Sequence, residues 1–229
     1  MIIDLRIFDL RFRCMAKITN WKDDYWLFML QLYLRKPVGI KPMYSRAMVD
    51  LAMEVHVHPQ VLFSKMCQIA NLETPRIEHI WEQYGENPRK LSRAVRLLRE
   101  MKGYGNAGEF YDGVETNETF EKDFRPLPED ERFTPVALIL VLDLYFRLTP
   151  GTMVSQTPEI RELAHLLNVK PADVVQVMEE LQRIDPYLNR RDVLFSPLLK
   201  PCVDIWRRYG NTDTEELARL AAELKEYYK

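Results

Sequence analysis

The segment "NPRKLSRAVRLLREMKG", residues 87–103, concentrates positive charge on one expected helix. Asn87 is a residue type that caps helices, and Pro88 suits the first helical position. Six basic side chains accompany a single acidic one, Glu100. Cations along a helix can follow a phosphate backbone, and such binding depends on salt because each neutralised phosphate releases counterions. The residues expected to contact nucleic acid are Arg89, Lys90, Arg93, Arg96, Arg99 and Lys102.

The apolar residues of the same segment recur at helical spacing, which predicts a stripe that faces the interior. An alternative interpretation is an ordinary solvated helix face, because most runs of like charge are solvated and because Glu78, Glu82 and Glu86 lie close by in the sequence. The expected inward stripe comprises Leu91, Ala94, Val95, Leu98 and Met101.

A second group of polar side chains lies on "HPQVLFSKMCQIA", residues 58–70. Lys65 and Gln68 are residue types that contact phosphates or base edges, so both are expected to contribute to nucleic-acid binding. The corresponding helix in the second half of the chain is acidic and would be repelled by phosphate. If either half touches duplex DNA, we expect the first half to do so, and the second half to suit a protein partner. The acidic helix carries Lys170, Asp173, Gln176, Glu179 and Glu180.

No residue pattern in the sequence predicts catalysis, a metal site or a bound cofactor. His56 and His58 are two residues apart and cannot share a helix face, and no CxxC pair supports them as metal ligands. The sequence also lacks GxSxG and the glycine-rich GxxxxGK phosphate loop. We therefore expect a protein that is not an enzyme.

These candidate residues belong to a pattern that occurs twice. "LQLYLRKPVG", residues 30–39, returns as "LDLYFRLTPG", residues 142–151, at an offset of 112. The same offset aligns residues as far as Met66 and Met178. "WEQYG" at Trp81 and "WRRYG" at Trp206 match at an offset of 125, so the second copy carries about thirteen extra residues. Repeats of this kind indicate two divergent copies of one module.

Within each copy the apolar periodicity is helical. A long apolar helix ends at a proline, and a second helix is followed by a short break and a third helix that a proline opens, at Pro59 or Pro171. Helix, tight turn and helix is the outline of a helix-turn-helix. The sequence therefore predicts an all-α fold of two homologous modules, each with a helix-turn-helix-like core.

Charge and composition divide the chain further. The formal net charge is −2, but residues 1–103 carry 17 basic and 11 acidic residues, leaving 15 basic and 23 acidic for the rest. Residues 104–133 contain nine acidic residues together with glycines and prolines, as a solvated linker would, although its phenylalanines suggest that parts of it dock onto a module. We expect an N-terminal arm over 1–19, a first module over 20–103, an acidic linker over 104–133 and a second module over 134–229.

The apolar runs are too short and too often interrupted by charges to span a bilayer, and the N-terminus lacks the apolar block of a secretory signal. Three widely separated cysteines, Cys14, Cys67 and Cys202, argue against a disulfide framework. These features predict a cytoplasmic protein without a membrane partner.

The order "LYxRxPxG", "PEIxxLAxLLxxxP", "DP" and "WxxY" resembles a module at the N-terminus of some bacterial HNH-type restriction endonucleases. The first copy resembles the opening of that module at Trp21, Tyr33, Arg35, Pro37 and Gly39, and its "FSKMCQIANLE" resembles the third helix of the family. In the second copy the matching residues are Leu144, Tyr145, Arg147, Gly151, Pro158, Glu159, Ile160, Leu163, Ala164, Pro171, Asp185, Pro186 and Trp206.

The resemblance implies a helix-turn-helix-like region that helps a nuclease reach DNA, but it carries no catalytic residue over to this chain. The four histidines do not form the histidine, asparagine and histidine pattern of an HNH site, and we expect no nuclease domain after the second module. Our leading hypothesis is a non-catalytic DNA-binding protein in a regulatory, restriction-associated or mobile-element-associated role. The alternative is a protein-interaction scaffold of tandem helical modules that binds no nucleic acid.

Overall fold

The computed structural model describes residues 21–101, 120–188 and 196–229. In these ranges the chain contains eleven α-helices and no strand, so the all-α prediction is confirmed. No helix in the described ranges is long and apolar enough to cross a membrane. The expected N-terminal arm, Lys102 and most of the extra residues of the second copy lie outside the described residues.

The described residues form two compact units. Unit 1 comprises 21–41 and 50–101, and unit 2 comprises 42–49, 120–188 and 196–229. The segment 42–49, which the sequence places inside the first module, therefore belongs to unit 2. It includes the first four residues of the second helix.

Unit 1 is built around helix α1, Tyr25–Leu34, whose side chains are buried on most of its circumference. Helices α3, α4 and α5 pack against it. Proline opens each of these three helices, as its fixed φ favours. The remaining bounds are α2 at Arg46–Val55, α3 at Pro59–Asn71, α4 at Pro75–Tyr84 and α5 at Pro88–Glu100.

Unit 2 is built around helix α7, Pro135–Arg147, in which every residue from Val136 to Tyr145 is buried. Thr134 caps it by accepting a hydrogen bond from the Ala137 amide at 3.1 Å, as the Thr-Pro pair predicts. All the other helices of unit 2 contact α7. They are α6 at Phe120–Phe124, α8 at Pro158–Leu167, α9 at Pro171–Ile184, α10 at Leu199–Tyr209 and α11 at Thr214–Leu224.

The second half of the expected linker is part of unit 2. Phe124, on the short α6, is 6% exposed and lies 6.1 Å from the Tyr44 ring and 5.0 Å from the Tyr227 ring, measured between centroids. Leu127 and Phe133 are also buried. Burial of these apolar side chains explains why residues 120–133 pack against α7 despite their acidic composition.

Helix bounds recur at the spacing of the sequence repeat. Helix α2 spans 46–55 and α8 spans 158–167, a difference of 112 at both ends, and α3 and α9 begin at 59 and 171. The Gly85 and Gly210 amides, which follow α4 and α10, each donate to the tryptophan carbonyl four residues earlier at 2.7 Å. A Cβ on either glycine would clash with that tryptophan, which accounts for the repeated "WxxYG". Matching bounds are what a duplicated module would produce.

Candidate nucleic-acid interface

Helix α5 presents one buried and one solvated face. The Asn87 side chain accepts a hydrogen bond from the Lys90 amide at 3.2 Å, so the expected cap forms. Leu91, Val95 and Leu98 are buried against α1, at the spacing of one helix face.

Three contacts give the direction of α5. The Trp81 ring, one turn before the end of α4, lies 5.8 Å from the Tyr33 ring, and Lys90 near the start of α5 contacts the Gln83 carbonyl at that same end of α4. The Arg99 guanidinium, near the end of α5, lies over the Phe28 ring at 5.2 Å. Helix α5 therefore runs back along α1, from the level of Tyr33 towards that of Phe28.

The face of α5 opposite the buried stripe carries Arg89, Arg93 and Arg96 at spacings of four and three residues, which places them in one row. We call these three residues the arginine row. It extends about 10 Å along the axis, since a helix rises about 1.5 Å per residue. All three side chains are exposed, and within the described part of the chain Arg89 and Arg93 have no charged or hydrogen-bonded partner. Arg96 faces Glu100 at 3.7 Å in an exposed pair, which contributes little and can open easily.

Two other basic residues of α5 are already engaged. Arg99 donates two hydrogen bonds to the Glu54 carboxylate, from Nε at 2.6 Å and from Nη2 at 2.9 Å. The Lys90 ammonium donates to the Gln83 carbonyl at 3.3 Å and lies 5.0 Å from the centroid of the Tyr84 ring. These contacts hold α5 to its neighbours and leave fewer cations free than the sequence alone indicates.

Lys65 and Gln68, the candidates on α3, are engaged with each other. The Lys65 ammonium lies over the Trp21 and Trp26 rings at 5.3 and 5.1 Å and donates to Gln68 Oε1 at 3.3 Å. A cation held against two indole faces contributes to packing at the start of α1. Lys65 and Gln68 therefore already have partners within unit 1, and Lys102 lies outside the described residues.

The stripe predicted to face inward is narrower than expected. Met101 is 60% exposed because the helix ends at Glu100 and Met101 has extended backbone angles. Leu97 is 53% exposed and neighbours both Met101 and Arg93 on the helix surface. An exposed apolar strip therefore flanks the arginine row.

Helix α11 offers a comparison within the same chain. Leu217, Ala221 and Leu224 are buried at the spacing that Leu91, Val95 and Leu98 have in α5. The positions that correspond to the arginine row are Glu215, Arg219 and Ala222. The two helices share a packing pattern, but only α5 carries a row of cations.

The loop between α1 and α2 has features that sequence reasoning missed. Lys41 is buried, and its ammonium donates to the carbonyl of Arg35 at 2.7 Å and to that of Pro37. Val38 and Ile40, at the tip, are 62% and 50% exposed. Apolar residues inside a short basic run, "RKPVGIK", were the available signal.

Three other features of the described residues concern a buried thiol, metal ligands and an apolar recess. Burial, and secondarily the charge of Glu180, raises the pKa of the Cys202 thiol to about 12, so that thiol stays protonated and unreactive at neutral pH. No group of histidine, cysteine or acidic residues in the described ranges could hold a metal ion. A narrow recess in unit 1, with no room for a water molecule, is lined by apolar side chains alone, those of Trp26, Leu30, Ile69, Ile77, Ile80 and Trp81.

Comparisons with known proteins give no relatives. No protein-family model matches the chain, and neither the curated proteins nor the solved structures include a significant match.

Proposed function

We propose that this protein binds duplex DNA without catalysing a reaction, through phosphate contacts made by the arginine row of α5. The observation that carries the proposal is the row itself: three exposed guanidinium groups in line on a helix whose opposite face is firmly packed. Guanidinium groups match phosphate geometry and keep their charge at all physiological pH values. A rigid helix presents them with little loss of backbone entropy on binding.

The number of contacts sets the expected salt dependence. Three neutralised phosphates correspond to a slope of about −2.7 in log K against log salt, so affinity should fall roughly 40-fold between about 50 and about 200 mM salt. Phosphate contacts carry no sequence information, so we expect binding to mixed-sequence duplexes.

The decisive experiment compares two double substitutions by fluorescence anisotropy with a labelled mixed-sequence duplex. Arg89→Glu/Arg93→Glu removes two members of the row and adds two negative charges, so the slope should become shallower by at least about 1.8. Arg161→Glu/Arg219→Glu changes the net charge by the same amount on exposed positions of unit 2 and should leave the slope unchanged. Equal losses in the two variants would show that overall charge, and not the row, governs binding.

A protein-interaction scaffold is the second candidate, and the exposed strip of Leu97 and Met101 favours it. An apolar strip bordered by arginines is typical of the centre of a protein interface. Leu97→Ser/Met101→Ser separates the candidates, because a DNA contact through phosphates should retain its salt slope in this variant.

We also propose that the chain arose by duplication of one helical module, with the two copies now specialised. The coincident bounds of α2 with α8 and of α3 with α9 support it, as do the shared burial patterns of α5 and α11. In this proposal the first copy binds DNA, and the second copy, with its acidic α9 and α11, does not.

A further inference from the structure

The loop that joins α1 to α2 combines an apolar tip with positive flanks. Residues 35–41 contain three basic residues and no acidic one. Val38 and Ile40 are among the most exposed large apolar side chains in the described residues, and Arg35 and Lys36 beside them are exposed as well. Two exposed aliphatic side chains lie together between cations at this tip, and burying them against a partner would be favourable.

The backbone of this loop is held in place from inside. The buried Lys41 ammonium donates to the Arg35 and Pro37 carbonyls, and the Gly39 amide donates to the Tyr33 carbonyl at 3.0 Å. Gly39 has a φ of +129°, a conformation that side-chain-bearing residues rarely adopt. The tip is therefore presented in a defined shape.

The loop that follows α7 differs in its charge and in the residues at its tip. Arg147 forms an ion pair with Asp143 at 2.8 Å, whereas the position equivalent to Asp143 in α1 is Gln31, which leaves Arg35 without an acidic partner in the described residues. Pro150 and Thr152 occupy the positions equivalent to Val38 and Ile40. Only the loop of unit 1 therefore combines exposed aliphatic side chains with available cations.

The apolar tip and the arginine row occupy the same end of unit 1. The start of α5 adjoins the end of α4, where Trp81 contacts Tyr33, and the loop leaves α1 directly after Leu34. Arg89 and Arg93, in the first half of α5, thus lie towards the end of α1 from which the loop emerges. A duplex held by these arginines would have the tip within its reach.

We propose that Ile40, supported by Val38, inserts between neighbouring base pairs from the minor groove of a bound duplex, with Arg35 and Lys36 on the flanking phosphates. Apolar wedges of this kind partly unstack one step and bend the duplex. This inference rests on the proposed DNA binding. Insertion into an anionic membrane is less well matched, because surface anchoring requires a larger apolar face than two side chains supply.

The test uses the full chain and a duplex that carries 2-aminopurine within a run of A·T pairs, with donor and acceptor dyes at its two ends. Binding of the unsubstituted protein should raise 2-aminopurine fluorescence, which reports unstacking, and should shorten the distance between the dyes. Val38→Ser/Ile40→Thr should abolish both changes and weaken binding while keeping the salt slope. The matched control, Val154→Ser, removes an exposed aliphatic residue after α7 and should leave both signals intact.

Each alternative result has a defined meaning. If the protein binds through the arginine row but neither signal changes, the wedge is wrong and the proposed DNA binding stands. If the folded protein binds no duplex even at low salt, both proposals fail. If Val38→Ser/Ile40→Thr loses binding to vesicles of anionic phospholipid but keeps both DNA signals, the tip contacts a membrane and the wedge is overturned.

Discussion

Arg93→Ala and Arg99→Ala remove the same charge from the same helix, yet they should have opposite consequences. Arg93 is exposed and has no partner in the described residues, so its loss should weaken DNA binding and leave stability nearly unchanged. Arg99 is bound to Glu54 through two short hydrogen bonds and lies over Phe28, so its loss should lower stability.

The size of the Arg99 effect can be estimated from its contacts. The side chains of Arg99 and Glu54 are 47% and 30% exposed, so the pair is partly screened, and its bidentate geometry places it near the upper end of exposed pairs, at about 1 kcal/mol. The contact with the Phe28 ring adds about 0.5 kcal/mol. A total of about 1.5 kcal/mol corresponds to a thermal midpoint lowered by roughly 3 to 6 °C in a chain of this length.

The assay pairs thermal unfolding, followed by circular dichroism, with anisotropy titrations of labelled duplex. Glu54→Gln is the control, because it removes the ion pair from the other side and should lower stability without weakening DNA binding. The reasoning would be refuted if Arg99→Ala weakened DNA binding as much as Arg93→Ala and left the midpoint unchanged. The guanidinium of Arg99 would then be available to phosphate, and the ion pair would be unimportant.

Three further predictions concern the loop glycines and the tyrosines Tyr44 and Tyr228. Gly39→Ala should cost about 1–2 kcal/mol because Gly39 has a φ of +129°, whereas Gly151→Ala should be tolerated, as thermal melts would show. Tyr44→Ala should lower the free energy of unfolding by about 3 kcal/mol, measured in urea, because the ring packs on Phe124 within unit 2. Burial raises the pKa of Tyr44 and that of Tyr228 from 10.0 to about 12, so their contribution to stability is complete below pH 10 and is lost as pH rises to 12. Tyr44→Phe/Tyr228→Phe should reduce the loss of stability between about pH 10 and about pH 12 in thermal melts. An unchanged pH profile would show that these two tyrosines do not cause the loss.

Local features of the fold follow from local sequence. Prolines at the first positions of helices, the Asn87 and Thr134 caps and the apolar run of α7 predict helices whose observed starts agree with them. These features depend on contacts within a few residues, so the spacing of residue types in the sequence is sufficient to predict them. The same applies to the α5 residues Leu91, Val95 and Leu98, which are buried as the helical periodicity of the apolar residues predicts.

Long-range partners could not be read from spacing. Glu54 and Arg99 are 45 residues apart, and nothing in either segment indicates that they form an ion pair. For the same reason, the sequence does not predict that Tyr44 packs against Phe124, which is 80 residues further along the chain. The apolar spacing predicts a helix to residue 103 with Met101 on its inward stripe, whereas the helix ends at Glu100. The sequence thus identified the basic helix but not which of its cations are free.

The slope of log K against log salt for the unsubstituted protein and a mixed-sequence duplex tests the central claim most directly. The arginine row alone predicts binding at low salt with a slope of about −2.7, corresponding to three phosphate contacts, and the proposed contacts of Arg35 and Lys36 would steepen it to about −4.5. Absence of binding by the folded protein at low salt, or a slope near zero, would contradict the account.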